Sequence, residues 1–150
     1  MKIQEAEKIA LQEIKKYCPE FRFQFDRAVR RFGCCHHNLK LITLSKALTE
    51  LNSLEQVKDT ILHEIAHAMA GIGHGHDQYW KSICRQIGAT PERCYKLSEV
   101  VQPIKQYRYL AVCEHCGHHS YKMRKPRSTY SCGHCCRKFN PDYILHYHML

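Results

Sequence analysis

Between positions 63 and 67 the chain reads His-Glu-Ile-Ala-His, and these residue types at this spacing suit metal-assisted hydrolysis. On a helix, residues four apart leave the same face, so the imidazoles of His63 and His67 can share one ion. Glu64 points about 100° further round the axis, where its carboxylate can reach a metal-bound water without ligating the metal. A third ligand must come from downstream, and GIGHGHDQYW offers His74 and His76. His76 stands immediately before a helix start that Asp77 can cap and Trp80 can anchor, whereas His74 lies in a glycine-bracketed loop. A ligand on a helix start is held in place, so His76 is the expected third ligand and His74 its rival. In the pattern H-E-x-x-H-x-x-G-x-x-H the glycine and last histidine would fall one residue before Gly71 and His74, which argues against that subclass.

A second cluster lies near the other end. Cys113-Glu-His-Cys116 and Cys132-Gly-His-Cys135 form C-x2-C-x15-C-x2-C, whose two knuckles can present four thiolates to a structural zinc across a hairpin. Coordination supplies folding energy that so short a segment cannot gain by burial. Cys136, His115 and His134 are alternative donors in the same knuckles. Between the knuckles, SYKMRKPRSTY interleaves Lys122, Arg124, Lys125 and Arg127 with Tyr121 and Tyr130, a mixture that tracks phosphates and stacks exposed bases. GCCHHN, residues 33–38, reads as a turn with structural thiols, because adjacent cysteines and histidines in a tight turn do not converge on one ion. Cys18, Cys84 and Cys94 read as isolated buried thiols.

Helices and strands must position these groups. Ile3, Ala6, Ile9, Ala10 and Ile14 predict a helix over 3–17 that ends before Pro19. Phe21, Phe23 and Phe25 alternate with polar residues as in a half-buried strand, and AVRRF and LKLITL read as further strands on either side of the GCCHHN turn. Ser53 with Gln56 is a capping-box signal for the helix that carries His63, which should stop at Gly71. Trp80, Ile83, Cys84 and Ile87 predict a second helix, capped at Asp77 and ended by Gly88. Residues 91–107 read as a connector, after which short strands separate the cysteine pairs.

Composition limits the classes. The 150 residues can form one good core plus a small metal-stapled module. Ten cysteines without an apolar signal segment at the N-terminus point to a cytoplasmic chain, nucleoid-associated or nuclear according to its host, whose thiols are free or metal-bound. No apolar run reaches membrane-spanning length, so no membrane partner is expected. The formal net charge is +9, and from residue 103 onward eight Lys/Arg face two acids. Such a surplus favours a polyanion, nucleic acid first.

LHEIAHA, the preceding LITLSKAL, and HDQYW after a glycine-containing loop together resemble the SprT-like metalloprotease family, over roughly residues 21–140 and most strongly over 39–80. In that family the third histidine opens a segment similar to H-G-x-x-[FW]; here it falls on His76, with Trp80 as the aromatic and Asp77 in place of the glycine. The resemblance implies an α+β chain: a small zincin-type core of helices packed on a short sheet, residues 1–102, and a zinc ribbon that engages nucleic acid, residues 103–150. It implies two zinc ions, one catalytic at His63, His67 and His76 with Glu64 as general base, one structural at Cys113, Cys116, Cys132 and Cys135. It further implies an endopeptidase that cleaves proteins bound or crosslinked to DNA, with single-stranded regions the expected DNA partner. Tyr79, Tyr95 and Tyr107 are candidates for stabilising an oxyanion, none of them singled out. Two other classes stay open: a zinc peptidase indifferent to DNA, and a non-enzymatic nucleic-acid-binding protein.

Overall fold

Ala6, Ala10 and Ile14 form the inner stripe of α1 (Ile3–Tyr17), and the small alanines let its backbone lie close to the helix it packs on. The chain leaves α1 at Cys18 and enters β1 (Arg22–Asp26), whose Phe23 and Phe25 stack edge to face on one side of a three-stranded sheet. The sheet order is β1-β3-β2: β3 (Leu41–Ser45) is central, parallel to β1 and antiparallel to β2 (Gly33–His36). As the central strand, β3 is buried on both faces, which explains its nearly continuous apolar run.

Two sequence expectations are corrected here. AVRRF is a loop, and GCCHHN is not a turn but supplies β2, followed by a short 3-10 turn at His37–Leu39. The cause lies at Asp26, whose carboxylate accepts the Ala28 amide at 2.9 Å, Arg31 at 2.7 Å and the Thr43 hydroxyl at 2.8 Å. Those bonds bend residues 27–31 into a loop and leave Gly33–His36 as the segment that pairs with β3.

Ser45 ends β3 and caps α2 (Lys46–Leu51), a short helix the periodicity did not announce. Ser53 then opens α3 (Leu54–Ala70) with a complete capping box on Gln56, and Gly71, at φ 83°, closes it. Asp77 accepts the Trp80 amide to cap α4 (Gln78–Ile87), which Gly88 ends in the left-handed region. Trp80, Ile83, Cys84 and Ile87 are the buried stripe of α4, as its spacing predicts. The core is α1, α3 and α4 packed with the sheet around Ile42, Leu44, Ile61, Ile65 and Trp80.

The computed structural model describes residues 1–93 and 99–150, which form two units, Met1–Pro103 and Ile104–Leu150. In the first unit Asn52 pins the segment after residue 98, bonding the Val101 amide at 2.8 Å and its carbonyl at 3.0 Å. The second unit has two small sheets. One is ordered β5-β4-β8, from β4 (Tyr109–Val112), β5 (His119–Lys122) and β8 (His148–Met149); the other pairs β6 (Tyr130–Ser131) with β7 (Ile144–Leu145). The molecule is thus mixed α+β with four helices and small sheets among the described residues. Among the same residues no helix is long and apolar enough to cross a membrane.

Candidate metal centres

The helical spacing on α3 brings the Nε2 atoms of His63 and His67 to 3.3 Å from each other. His76, in the turn before α4, closes a triangle with its own Nε2 at 3.2 Å from His67 and 3.3 Å from His63. A tetrahedral zinc with nitrogens at about 2.0–2.1 Å would hold them about 3.3–3.4 Å apart, so the triangle fits. Trp80 is fully buried and braces all three rings, with centroids 4.7, 5.1 and 4.6 Å from those of His63, His67 and His76. His74 is turned elsewhere: its Nδ1 meets Asp77 at 2.9 Å and its ring packs on Tyr79.

Burial tunes these groups. It pushes His63 down to about 4 and His67 down to about 3, with neighbouring imidazoles adding to the effect, so both are neutral and free to ligate at physiological pH. His76 is lowered for the same first reason, helped by Arg93 and Lys81. Glu64, 7% exposed, lies on the same helix one residue from His63. Burial raises its carboxyl to about 8, against the opposing pull of Arg31 and of a hydrogen bond from the Cys35 amide. His63, Glu64, His67 and His76 line one cleft, together with Gly33 and Cys34 of β2.

The cysteine knuckles converge as their spacing predicts. Cys113 and Cys135 sulfurs lie 3.7 Å apart, and those of Cys116 and Cys132 lie 3.6 Å apart. Four thiolates at about 2.3 Å from a tetrahedral zinc would be separated by about 3.8 Å. Cys113 and Cys132 are buried, and the Cys116 amide, donating to Cys113, helps pull that thiol down to about 7. His115 reaches 3.7 Å from Cys135, while His134 stacks on His118. Both clusters can therefore hold a metal ion, with donor sets and spacings suited to zinc.

The other sequence candidates fall as follows. Tyr121 and Lys122 are consecutive on β5, so they face opposite sides of the sheet; Tyr121 is exposed beside Tyr107, at 5.3 Å between centroids. Lys122 lies over the Tyr130 ring at 4.3 Å, and Tyr130 in turn meets Tyr147. Arg124, Lys125 and Arg127 are exposed in the link from β5 to β6. Tyr79 is exposed on α4, and Cys18 and Cys84 are buried thiols raised to about 12 and about 11 by burial. Cys94 and Tyr95 lie outside the described residues. Sequence reasoning missed Gly33, the Cys35 amide and Arg31, all on or beside the segment read as a turn. A glycine followed by a β-strand run was the available signal, since such a glycine often marks a close approach of another group.

A helix-borne His-Glu-x-x-His with a third imidazole and a buried carboxyl, on an α+β framework, defines a candidate metallohydrolase-type centre. A profile of the SprT-like family matches residues 2–101, and the chain belongs to that family, which is generally of the metalloprotease type. Comparison with curated proteins and with solved structures returns no match.

Proposed function

We propose that the protein is a DNA-associated zinc endopeptidase that cleaves proteins bound or crosslinked to DNA, with a zincin core and a zinc-ribbon targeting module. The observation that carries the peptidase reading is the triangle of Nε2 atoms from His63, His67 and His76 with Glu64 buried beside it. A zinc held there would supply a Lewis acid for a peptide carbonyl and lower the pKa of a water toward about 7. Beside the positive charge of a bound zinc the Glu64 carboxyl would ionise, and as a carboxylate it takes the proton of the attacking water and returns it to the departing amine. The outer edge of β2, beside Glu64, has no strand on it among the described residues, which favours an extended peptide as substrate. A second ion at Cys113, Cys116, Cys132 and Cys135 holds the ribbon together.

The DNA reading is supported by the family, by the basic surplus after residue 103, and by exposed Arg124, Lys125 and Arg127 next to exposed Tyr121. One observation favours the DNA-independent alternative: Lys122 and Tyr130 engage each other, so both serve the ribbon's own packing. The test is cleavage of a DNA-binding protein by wild type and Glu64→Gln, with and without single-stranded DNA. Cleavage that needs both Glu64 and DNA supports the proposal. Equal rates with and without DNA support the alternative, and no cleavage by zinc-loaded wild type in any condition would reject both.

A further inference from the structure

Strand β2 does more than fill the sheet. Its residues pair antiparallel with β3, Gly33 opposite Leu44 and Cys35 opposite Ile42, and the Ser45 amide donates to the Phe32 carbonyl at 2.7 Å. Bonded and non-bonded pairs alternate along an antiparallel ladder. Cys34 and His36 therefore exchange hydrogen bonds with β3, while Gly33 and Cys35 turn their amides outward. The Glu64 carboxyl lies beside this outward edge, where the Cys35 amide favours its charged form. Glu64 can lie against the strand only because position 33 has no side chain: a Cβ there would sit 2.8 Å from Glu64 Cγ, 2.9 Å from Glu64 Oε1 and 3.1 Å from the Thr60 methyl. Gly33 is outside the left-handed region, so its backbone would accept alanine, and space alone decides.

We infer that Gly33 is a positioning residue for Glu64, leaving the room in which the carboxyl lies against β2 beside the three histidines. This rests on the reading of Glu64 as the general base. The nearest obstacles to a methyl at position 33 belong to the Glu64 side chain and not to backbone, so Gly33→Ala is accommodated by turning that side chain from its Cγ outward, which carries the carboxyl away from its place and leaves the sheet paired. An ångström of misplacement at a reacting group costs about 100-fold in rate, and that is the fall in kcat expected for Gly33→Ala, with KM changed less than about threefold. Truncating the acid to its Cβ removes both Cγ and Oε1, so in a Glu64→Ala background the same Gly33→Ala change should cost far less stability than in wild type, a non-additivity that traces the cost to this contact.

Hydrogen exchange at two adjacent amides gives a readout that needs no activity. In zinc-loaded Gly33→Ala the outward Cys35 amide, no longer covered by Glu64, should exchange about tenfold faster or more, while the Cys34 amide, bonded to β3, keeps its protection. An unchanged kcat together with unchanged Cys35 exchange would overturn the inference, as would equal loss of protection at Cys34 and Cys35. If wild type cleaves nothing, the peptidase reading fails and Cys35 exchange alone decides whether Gly33 positions Glu64. If Gly33→Ala does not fold, the Gly33→Ala, Glu64→Ala double variant decides: recovery of folding supports the contact, and continued failure rejects it.

Discussion

Burial sets the chemistry of single residues in this cleft, and it does so with opposite sign for acids and bases. In the zinc-free protein Glu64 keeps its proton up to about 8, whereas a carboxyl of ordinary value, 4.5, has lost it in the unfolded chain. Across that interval the folded state binds more protons, so the contribution of Glu64 to stability is present below the lower value and is lost as pH rises through the upper one. His63 and His67 act the other way: their folded values of about 4 and about 3 lie below the ordinary 6.5, so stability is lost as pH falls below that value. Glu64→Gln isolates the carboxyl, because the histidines are common to both proteins. Urea titrations of the zinc-free proteins should coincide near pH 4, and at about pH 8 the variant should be the more stable by more than about 1 kcal/mol. No divergence would mean that Glu64 is solvated.

At the scale of the element, caps place the candidate ligands. The capping box on Ser53 starts α3 and thereby sets which face carries His63 and His67. Asp77 has two duties: one carboxylate oxygen takes the Trp80 amide and the other takes the His74 ring. It therefore holds the start of α4, with His76 in front of it, and keeps His74 away from the triangle. Asp77→Ala should weaken zinc retention at the histidine site by about tenfold, as loss of a supporting group around metal ligands commonly does. Asp77→Asn, which keeps an acceptor for the cap, should lose much less; competition with a chelator measures both. Equal losses would show that charge, not the cap, is what matters. Strand β2 is the counterexample in which local signals misled: GCCHHN looks like a turn, and the Asp26 bonds that bend the preceding residues join the 27–31 loop to β1 and, through Thr43, to β3.

At the scale of the whole molecule, the two units differ in what holds them together. Residues 1–103 have a core of aromatic and aliphatic side chains spanning helices and sheet, whereas residues 104–150 bury little beyond Ala111, Cys113, Cys132 and Leu145. Metal ligation at the cysteine cluster is therefore the expected source of much of the second unit's stability. Cys132→Ser is expected to lower the bound zinc from two ions to one and to unfold the ribbon, while the urea transition of the first unit persists. Metal analysis with near-ultraviolet circular dichroism measures both. Loss of both ions together would contradict independent sites.

What the sequence determined by itself was whatever depends on short range. His63 and His67 share a face because four residues make about one turn, and C-x2-C knuckles converge because each is one tight turn. The caps at Ser53 and Asp77, the stops at Gly71 and Gly88 and the buried stripe of α4 are legible for the same reason, and the choice of His76 over His74 followed from the cap that holds it. Tertiary structure decided the rest. That Gly33 faces Glu64, that Cys35 turns its amide outward, and that Lys122 covers Tyr130 depend on which strands pair and in which register. Register is a sum over many weak contacts between segments distant in the chain, and no local pattern records it.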